Sequence, residues 1–207
     1  MVFNKLIKLD EIHFEIDRRA VYSLLGYRKG KASLSQKMIR ILDNAFSEIL
    51  DLVDPKGAYL IRKIRDKGGE VFLLDSEIVL RGESMVNLLR DSFAVIFMAV
   101  TVGCRLERRI SQEMEKGNHE TALVFDAIGS ETVEAVANSL NNRLLTEARQ
   151  FKHSLTMRFS PGYGDLPLTF QREMYEELSL GELGIEINDR NMLSPQKTIT
   201  ALIGIEK

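Results

Sequence analysis

Arg158-Phe159-Ser160-Pro161-Gly162-Tyr163-Gly164-Asp165 brings an arginine, a proline–glycine bend and a tyrosine together between two stretches that read as regular structure. Pro161 fixes its own backbone angle and biases Ser160 toward an extended shape, while Gly162 and Gly164 open conformations that other residues avoid. A bend of this kind presents a guanidinium fork beside an aromatic ring. That pairing suits a small ligand with a carboxylate and a flat ring. Taken alone, the segment reads more simply as a surface turn with a solvated arginine.

The chain offers little other chemistry. One cysteine, Cys104, leaves no internal disulfide and no thiolate cluster for a metal. His13, His119 and His153 are the only imidazoles and form no pair at ligand spacing, so neither a zinc site nor an iron–sulfur centre is expected. Cys104, beside an apolar strand, reads as a buried inert thiol. There is no Gly-x-x-x-x-Gly-Lys-Ser/Thr loop, no Gly-x-Gly-x-x-Gly after a strand and no Gly-x-Ser-x-Gly elbow. A formal charge of -2 gives no bulk attraction to nucleic acid or to an acidic membrane. Arg105, Arg108 and Arg109 fall at helical spacing and read as a solvated face. The start Met1-Val2-Phe3-Asn4-Lys5 lacks a signal-peptide core, and the apolar run 93–102 is too short to cross a bilayer. The expected setting is the cytoplasm.

A folded frame must hold the bend, and 207 residues supply one. Hydrophobic content of 44% and charged content of 28% are those of a globular domain with a sizeable core. Ile12, Phe14 and Ile16 alternate with polar neighbours and predict a half-buried strand. Asp17 caps a short helix closed by Gly26, and 26–33 is a basic, glycine-containing loop. Ser35 opens a helix whose Met38, Ile41, Leu42, Ala45, Phe46, Ile49 and Leu52 share one face, and Asp54-Pro55-Lys56-Gly57 stops it. Runs 58–64 and 71–74 flank Lys67-Gly68-Gly69 as a hairpin. A short helix at 85–89 precedes a core strand at 93–102, and Gly103 turns the chain into a helix containing Leu106 and Ile110. A long helical region from 119 to 151 is expected to bend or break at Gly129-Ser130. Ser130 would cap its second half, with Glu131 and Glu134 in the first turns. After the bend come a polar helix at 170–178, a strand at 185–187, a loop at 192–195 and an apolar strand at 199–205. Regular strand–helix alternation is missing. The expected fold is therefore α+β: a single domain with a largely antiparallel, twisted central sheet flanked by helices. In it, the helix at 131–150 packs beside the strand at 93–102.

Four features in order resemble the activation (reactivation) domain of cobalamin-dependent methionine synthase. Arg158-x-x-x-Gly162-Tyr163, with Pro161 before the glycine, resembles that family's S-adenosylmethionine-binding Arg-x-x-x-Gly-Tyr motif. Asp126-Ala127-Ile128-Gly129-Ser130, running through Val133-Glu134-Ala135-Val136 to Leu140-Asn141-Asn142-Arg143, resembles its long helix, and Glu134 matches an acidic ligand-binding position. Asn191-Met192-Leu193-Ser194-Pro195-Gln196-Lys197-Thr198 resembles its Met-x-Pro-x-x-Ser strand start, with one residue of slack. Ala99-Val100-Thr101-Val102-Gly103, followed by Leu106-Glu107, resembles a strand–turn–helix of short relatives. Three departures stand out. Ser160 replaces a small apolar residue, Gly164-Asp165-Leu166-Pro167 differs from the usual cysteine–proline sequence after Gly-Tyr, and the link from the long helix to Arg158 is shorter. The family's N-terminal acidic ligand has no aligned partner here, although Asp10, Glu15 and Asp17 are candidates by position.

The resemblance implies one activation-domain-like domain over 1–207, with 1–57 as an N-terminal helical part and 58–207 as the ligand-binding core. It implies S-adenosylmethionine as the ligand, with Arg158 gripping the carboxylate and Glu134 facing the ammonium or sulfonium. The backbone around Ser160 and Gly162 would meet the adenine edge, and Tyr163 would stack near the ligand or face a corrin ring. It implies no catalytic side chain and no metal held by this chain, because the contribution is placement. Cobalamin would come only through a partner, a corrinoid-binding methionine synthase lacking its own activation domain, with flavodoxin or another reductant giving the electron. The expected function is a stand-alone reactivation subunit that supports reductive methylation of cob(II)alamin to methylcobalamin. It would be a component of methionine synthase activity and not a complete enzyme. Two alternatives remain: a corrinoid-protein chaperone without ligand binding, and a self-sufficient S-adenosylmethionine-dependent methyltransferase.

Overall fold

The run from Phe93 to Val102, apolar except for Thr101, lacks polar–apolar alternation because both of its faces are covered. The computed structural model describes residues 1–27, 34–68, 71–74 and 76–207. From the N-terminus the chain runs β1 (Ile7–Leu9), α1 (Arg18–Leu24), α2 (Gln36–Leu52), β2 (Lys56–Gly68), β3 (Val71–Leu74), β4 (Val79–Arg81), α3 (Glu83–Leu88) and β5 (Ser92–Thr101). It continues through α4 (Arg105–Glu115), α5 (His119–Gln150), β6 (Ser154–Leu155), α6 (Gln171–Glu177), β7 (Glu186–Ile187), β8 (Leu193–Ser194) and β9 (Thr198–Glu206). Among the described residues the main sheet has the order β4-β3-β2-β5-β9-β6, with β1 also paired to β2. The pairings are antiparallel, from Lys56↔Thr101 to Lys63↔Ala94 on one side of β5 and from Ser92↔Glu206 to Thr101↔Thr198 on the other.

Alternate residues of β5 serve two cores. Ala94, Ile96, Met98 and Val100 meet Phe125, Ile128, Val136 and Leu140 of α5, together with Leu42 and Ile49 of α2. Val95, Phe97 and Ala99 meet Met85 of α3, Met174 of α6 and Leu202 of β9. An antiparallel strand sandwiched this way reads as a continuous apolar run, as fully buried strands do. The expected α+β architecture is the one observed, and the long helix packs against β5 and β9. Two of the expected caps form: the Asp17 carboxylate accepts the Arg19 N–H at 2.8 Å, and the Ser35 hydroxyl accepts the Met38 N–H at 3.2 Å.

Four local expectations fail, each for a tertiary reason. Residues 11–17 are not a strand, although Ile12 is buried. Alternation records which side chains turn inward, and an extended segment without ladder bonds satisfies it equally; the strand is β1, which pairs with 57–59 of β2. The helix α5 is unbroken at Gly129-Ser130. A Cβ on Gly129 would lie 2.5 Å from Leu106 Cδ2, so this glycine lets α4 approach α5. The Ser130 hydroxyl donates to the Asp126 carbonyl at 3.0 Å within the helix and caps nothing. Cys104 is exposed, because it sits at the turn before α4 and not on the strand, and Arg108 donates to its sulfur. Finally, the arginines of α4 are not a purely solvated face. Arg105 donates to the Val53 carbonyl at 3.0 Å, and Arg109 bridges Glu48 of α2 and Glu113 while lying over the Phe125 ring. The expected loop at 26–33 falls mostly outside the described residues, as does the hairpin tip at 69–70.

Candidate functional site

Arg158 reaches its position through the edge of the sheet. Beyond β6 the chain stays alongside β9, and Phe159 exchanges backbone bonds with Leu202 at 2.9 and 2.8 Å. Phe159 packs on the core beneath α3 and α6. Neighbouring residues of an extended segment point to opposite faces, so Arg158 is directed toward α5. There its Nη2 donates to Glu134 Oε2 at 3.0 Å and to Asn138 Oδ1 at 2.9 Å. Glu134 and Asn138 are one helical turn apart and share a face of α5. The other terminal nitrogen, Nη1, is buried and has no hydrogen-bond partner. The arrangement is thus a carboxylate at the mouth of the site, with its side chain 53% exposed, beside a guanidinium with one donor in reserve.

The bend beyond Arg158 closes on itself. The Gly162 N–H donates to the Leu166 carbonyl at 2.8 Å, and the Tyr163 N–H to the Ser160 carbonyl at 3.2 Å. Gly162 needs its glycine because its φ is +90°, which L side chains rarely adopt. Pro161 is buried, and Tyr163 projects outward at 69% exposure.

Three recesses meet at Glu134. The first, of about 490 Å³, includes Arg158, Phe159, Ser160 and Tyr163 in its lining. A larger one of about 800 Å³ shares Glu134, Ser160, Tyr163 and Ile199 with it and extends past Glu107 to Gln171, Asn188 and Thr200. A third, of about 610 Å³, runs from Glu134 along Ala20 and Leu24 of α1 to Glu131 and Lys197. The four separated sequence features therefore converge, since Glu107, Glu134, Ser160, Tyr163, Met192, Gln196 and Thr198 all line the larger recess. The stitching is direct. Glu107 Oε1 accepts the Lys197 N–H at 3.0 Å, and Lys197 Nζ bonds Asp126 at 2.7 Å and the Ser130 hydroxyl at 2.8 Å. Met192 is held outward by a turn in which Asn188 Oδ1 accepts the N–H groups of Arg190 and Met192.

Of the acidic candidates near the N-terminus, Asp17 comes to the edge of the site. Its backbone lies close to the Glu131 carboxyl, which burial pushes above its ordinary range, as do the charges of Asp17 and Glu134. Asp10 and Glu15 are exposed and line none of these three recesses. Asn138 belongs to no motif in the sequence, and its spacing of four from Glu134 was the available signal. Among the described residues, no group of three His, Cys, Asp or Glu is arranged to hold a metal ion, and no helix is long and apolar enough to cross a membrane.

No family model matches the sequence, and no curated protein matches it. Among solved structures the chain is similar to the MetH reactivation domain bound to AdoHcy, with a TM-score of 0.74 at 11% identity. The match covers 98% of this chain and 78% of that one. The chain has the fold of the MetH reactivation domain.

Proposed function

We propose that this chain is a stand-alone S-adenosylmethionine-binding reactivation subunit for a cobalamin-dependent methionine synthase or related corrinoid protein. In that role it supports reductive methylation of cob(II)alamin to methylcobalamin. The observation that carries the reading is the buried, unpartnered Nη1 of Arg158, beside an Nη2 already held by Glu134 and Asn138. A buried donor without an acceptor costs roughly 1–3 kcal/mol. Turned into the recess that Arg158 lines, Nη1 meets a ligand carboxylate and recovers that cost. The ligand's ammonium then falls to Glu134, so the zwitterion and the Arg158–Glu134 pair form a chain of alternating charges. Beside Ser160 and Pro161 the larger recess offers backbone groups to the adenine edge, while Gly162 shapes the bend behind them. The fold neighbour was solved with AdoHcy, which differs from S-adenosylmethionine by one methyl group.

Bound S-adenosylmethionine supplies an electrophilic methyl on its sulfonium, and this chain's residues place it. Tyr163, Met157 and Met192 are 69%, 73% and 54% exposed and form an apolar rim suited to a flat partner surface. In this reading the corrin arrives on another protein in the cytoplasm, with a reductant such as flavodoxin.

Calorimetry with S-adenosylmethionine tests the ligand. Adding cob(II)alamin-loaded partner and reductant, and following the absorption spectrum, tests the role. Binding followed by the methylcobalamin spectrum is the expected result. Absence of binding would sink the ligand reading and favour the chaperone. Methyl transfer to a small acceptor without any partner would favour a self-sufficient methyltransferase.

A further inference from the structure

The bend 160–166 carries two glycines with positive φ, Gly162 at +90° and Gly164 at +55°. Glycine loses more conformational freedom on ordering than other residues, so something must hold such a segment still. One end is fixed by the paired bonds between Phe159 and Leu202. The other end is fixed by Asp165, whose two carboxylate oxygens accept the Ser84 N–H at 3.2 and 3.1 Å, and by Leu166, which is buried in the core. Ser84 lies in the first turn of α3, so the carboxylate also faces the positive end of that helix.

The fit around this contact is close. A Cβ on Gly82 would lie 2.7 Å from the Asp165 carboxylate, and Gly82 itself has φ +106°. A Cβ on Gly164 would lie 2.8 Å from Ser84 Oγ and 3.1 Å from Phe159 Cζ. The Ser84 N–H, the largest influence, holds the Asp165 carboxyl below the usual carboxylate range. Gly164-Asp165-Leu166-Pro167 is also where the sequence departs from the cysteine–proline pattern of the family it resembles.

We propose that Asp165 is a positioning residue that locks the bend onto the first turn of α3, so that Ser160, Gly162 and Tyr163 are ordered before the ligand arrives. The choice of ligand rests on the S-adenosylmethionine reading above. The carboxylate does not touch the ligand; it acts through the bend, by removing an ordering cost from binding.

The test measures amide hydrogen exchange over 160–166 and S-adenosylmethionine affinity on the full chain, for the wild type, Asp165→Ala and Asp165→Asn. Asp165→Ala is expected to speed exchange in the bend selectively and to weaken the ligand about tenfold, with little change in melting temperature. Asp165→Asn keeps one acceptor oxygen and should recover part of both losses. Unchanged exchange in the bend overturns the proposal, and so does unchanged affinity alongside faster exchange. Faster exchange spread over the whole domain also overturns it, because that marks a residue of general stability. If the wild type binds no S-adenosylmethionine while Asp165→Ala still loosens the bend alone, the anchor stands and the ligand reading falls.

Discussion

Arg158 Nη2 lies 3.0 Å from Glu134 Oε2, joining the bend to the middle of α5 while the N–H groups of Nη1 have no acceptor. The pair is partly exposed, so on its own it adds little stability, on the scale of about 1 kcal/mol or less. Its value lies in orientation. Asn138 and Glu134 both take Nη2, and this fixes the plane of the guanidinium.

Replacing Arg158 therefore separates binding from folding. Arg158→Ala should weaken S-adenosylmethionine by roughly 2–4 kcal/mol, the scale for breaking a partly buried charged hydrogen-bonded pair. Arg158→Lys should recover only part, since an ammonium cannot form the planar fork. Calorimetry gives the affinity and a thermal melt the stability. Affinity unchanged from the wild type in both variants would remove Arg158 from the site.

The elements around this pair were mostly legible in the sequence, because their signals are local. Asp17 and Ser35 announce caps by residue type, and the apolar face of α2 repeats at helical spacing. What stayed hidden depends on neighbours distant in sequence. Gly129 reads as a helix breaker from its own propensity, yet Leu106 of α4 decides its role. Ile12, Phe14 and Ile16 alternate like a strand, but the ladder positions on β2 belong to 7–9 and to β5. At the site, the choice of Arg158 and Glu134 came from the resemblance, but their bond to each other did not. Asn138 and the hold of Asp165 on α3 needed the tertiary structure.

Gly129 makes that point testable. By helix propensity alone, Gly129→Ala in the interior of α5 would stabilise the chain by about 1 kcal/mol. The new Cβ would instead lie 2.5 Å from Leu106 Cδ2, and Leu106 is fully buried in the core. Overpacking of this kind costs roughly 1–3 kcal/mol. A lower melting temperature for Gly129→Ala is expected, and a higher one would mean that α4 and α5 are not tightly apposed.

Glu113 supplies a pH signature far from the bend. Hydrogen bonds from Asn118 and then Arg109 lower its carboxyl from its ordinary value of 4.5 to about 2, against the opposing effect of burial. A carboxyl depressed on folding adds stability that is present above about 4.5 and is lost as pH falls toward 2. Glu113→Gln should therefore lower stability near neutral pH by about 1–3 kcal/mol, the scale for a hydrogen bond to a charged group. Urea melts of both chains from pH 7 to pH 2 check this. The two curves should converge at the acid end, and a constant gap would show that the charge of Glu113 is not what counts.

Tyr163 tests the partner. A ring that is 69% exposed at the tip of a bend is poorly placed to enclose a small ligand, but well placed to meet a flat surface brought by another molecule. Met157 stands exposed at the first recess and Met192 at the larger one, and thioether side chains adapt to irregular partners. The bend that carries Tyr163 is braced internally by the Gly162–Leu166 and Tyr163–Ser160 bonds, so removing the ring should leave the backbone in place. If the corrin docks here, Tyr163→Ala should lower the yield of methylcobalamin more than it lowers S-adenosylmethionine affinity. Both quantities are read on the same variant, with cob(II)alamin-bound partner and a chemical reductant. Docking must also be transient, because the corrinoid protein has other catalytic encounters to make, so the interface should be small and fairly polar beyond this rim. Raising the partner concentration should then restore much of the lost yield in Tyr163→Ala, as expected of a weakened encounter. Equal losses in yield and affinity, unrelieved by more partner, would make Tyr163 a ligand contact and move the docking surface elsewhere.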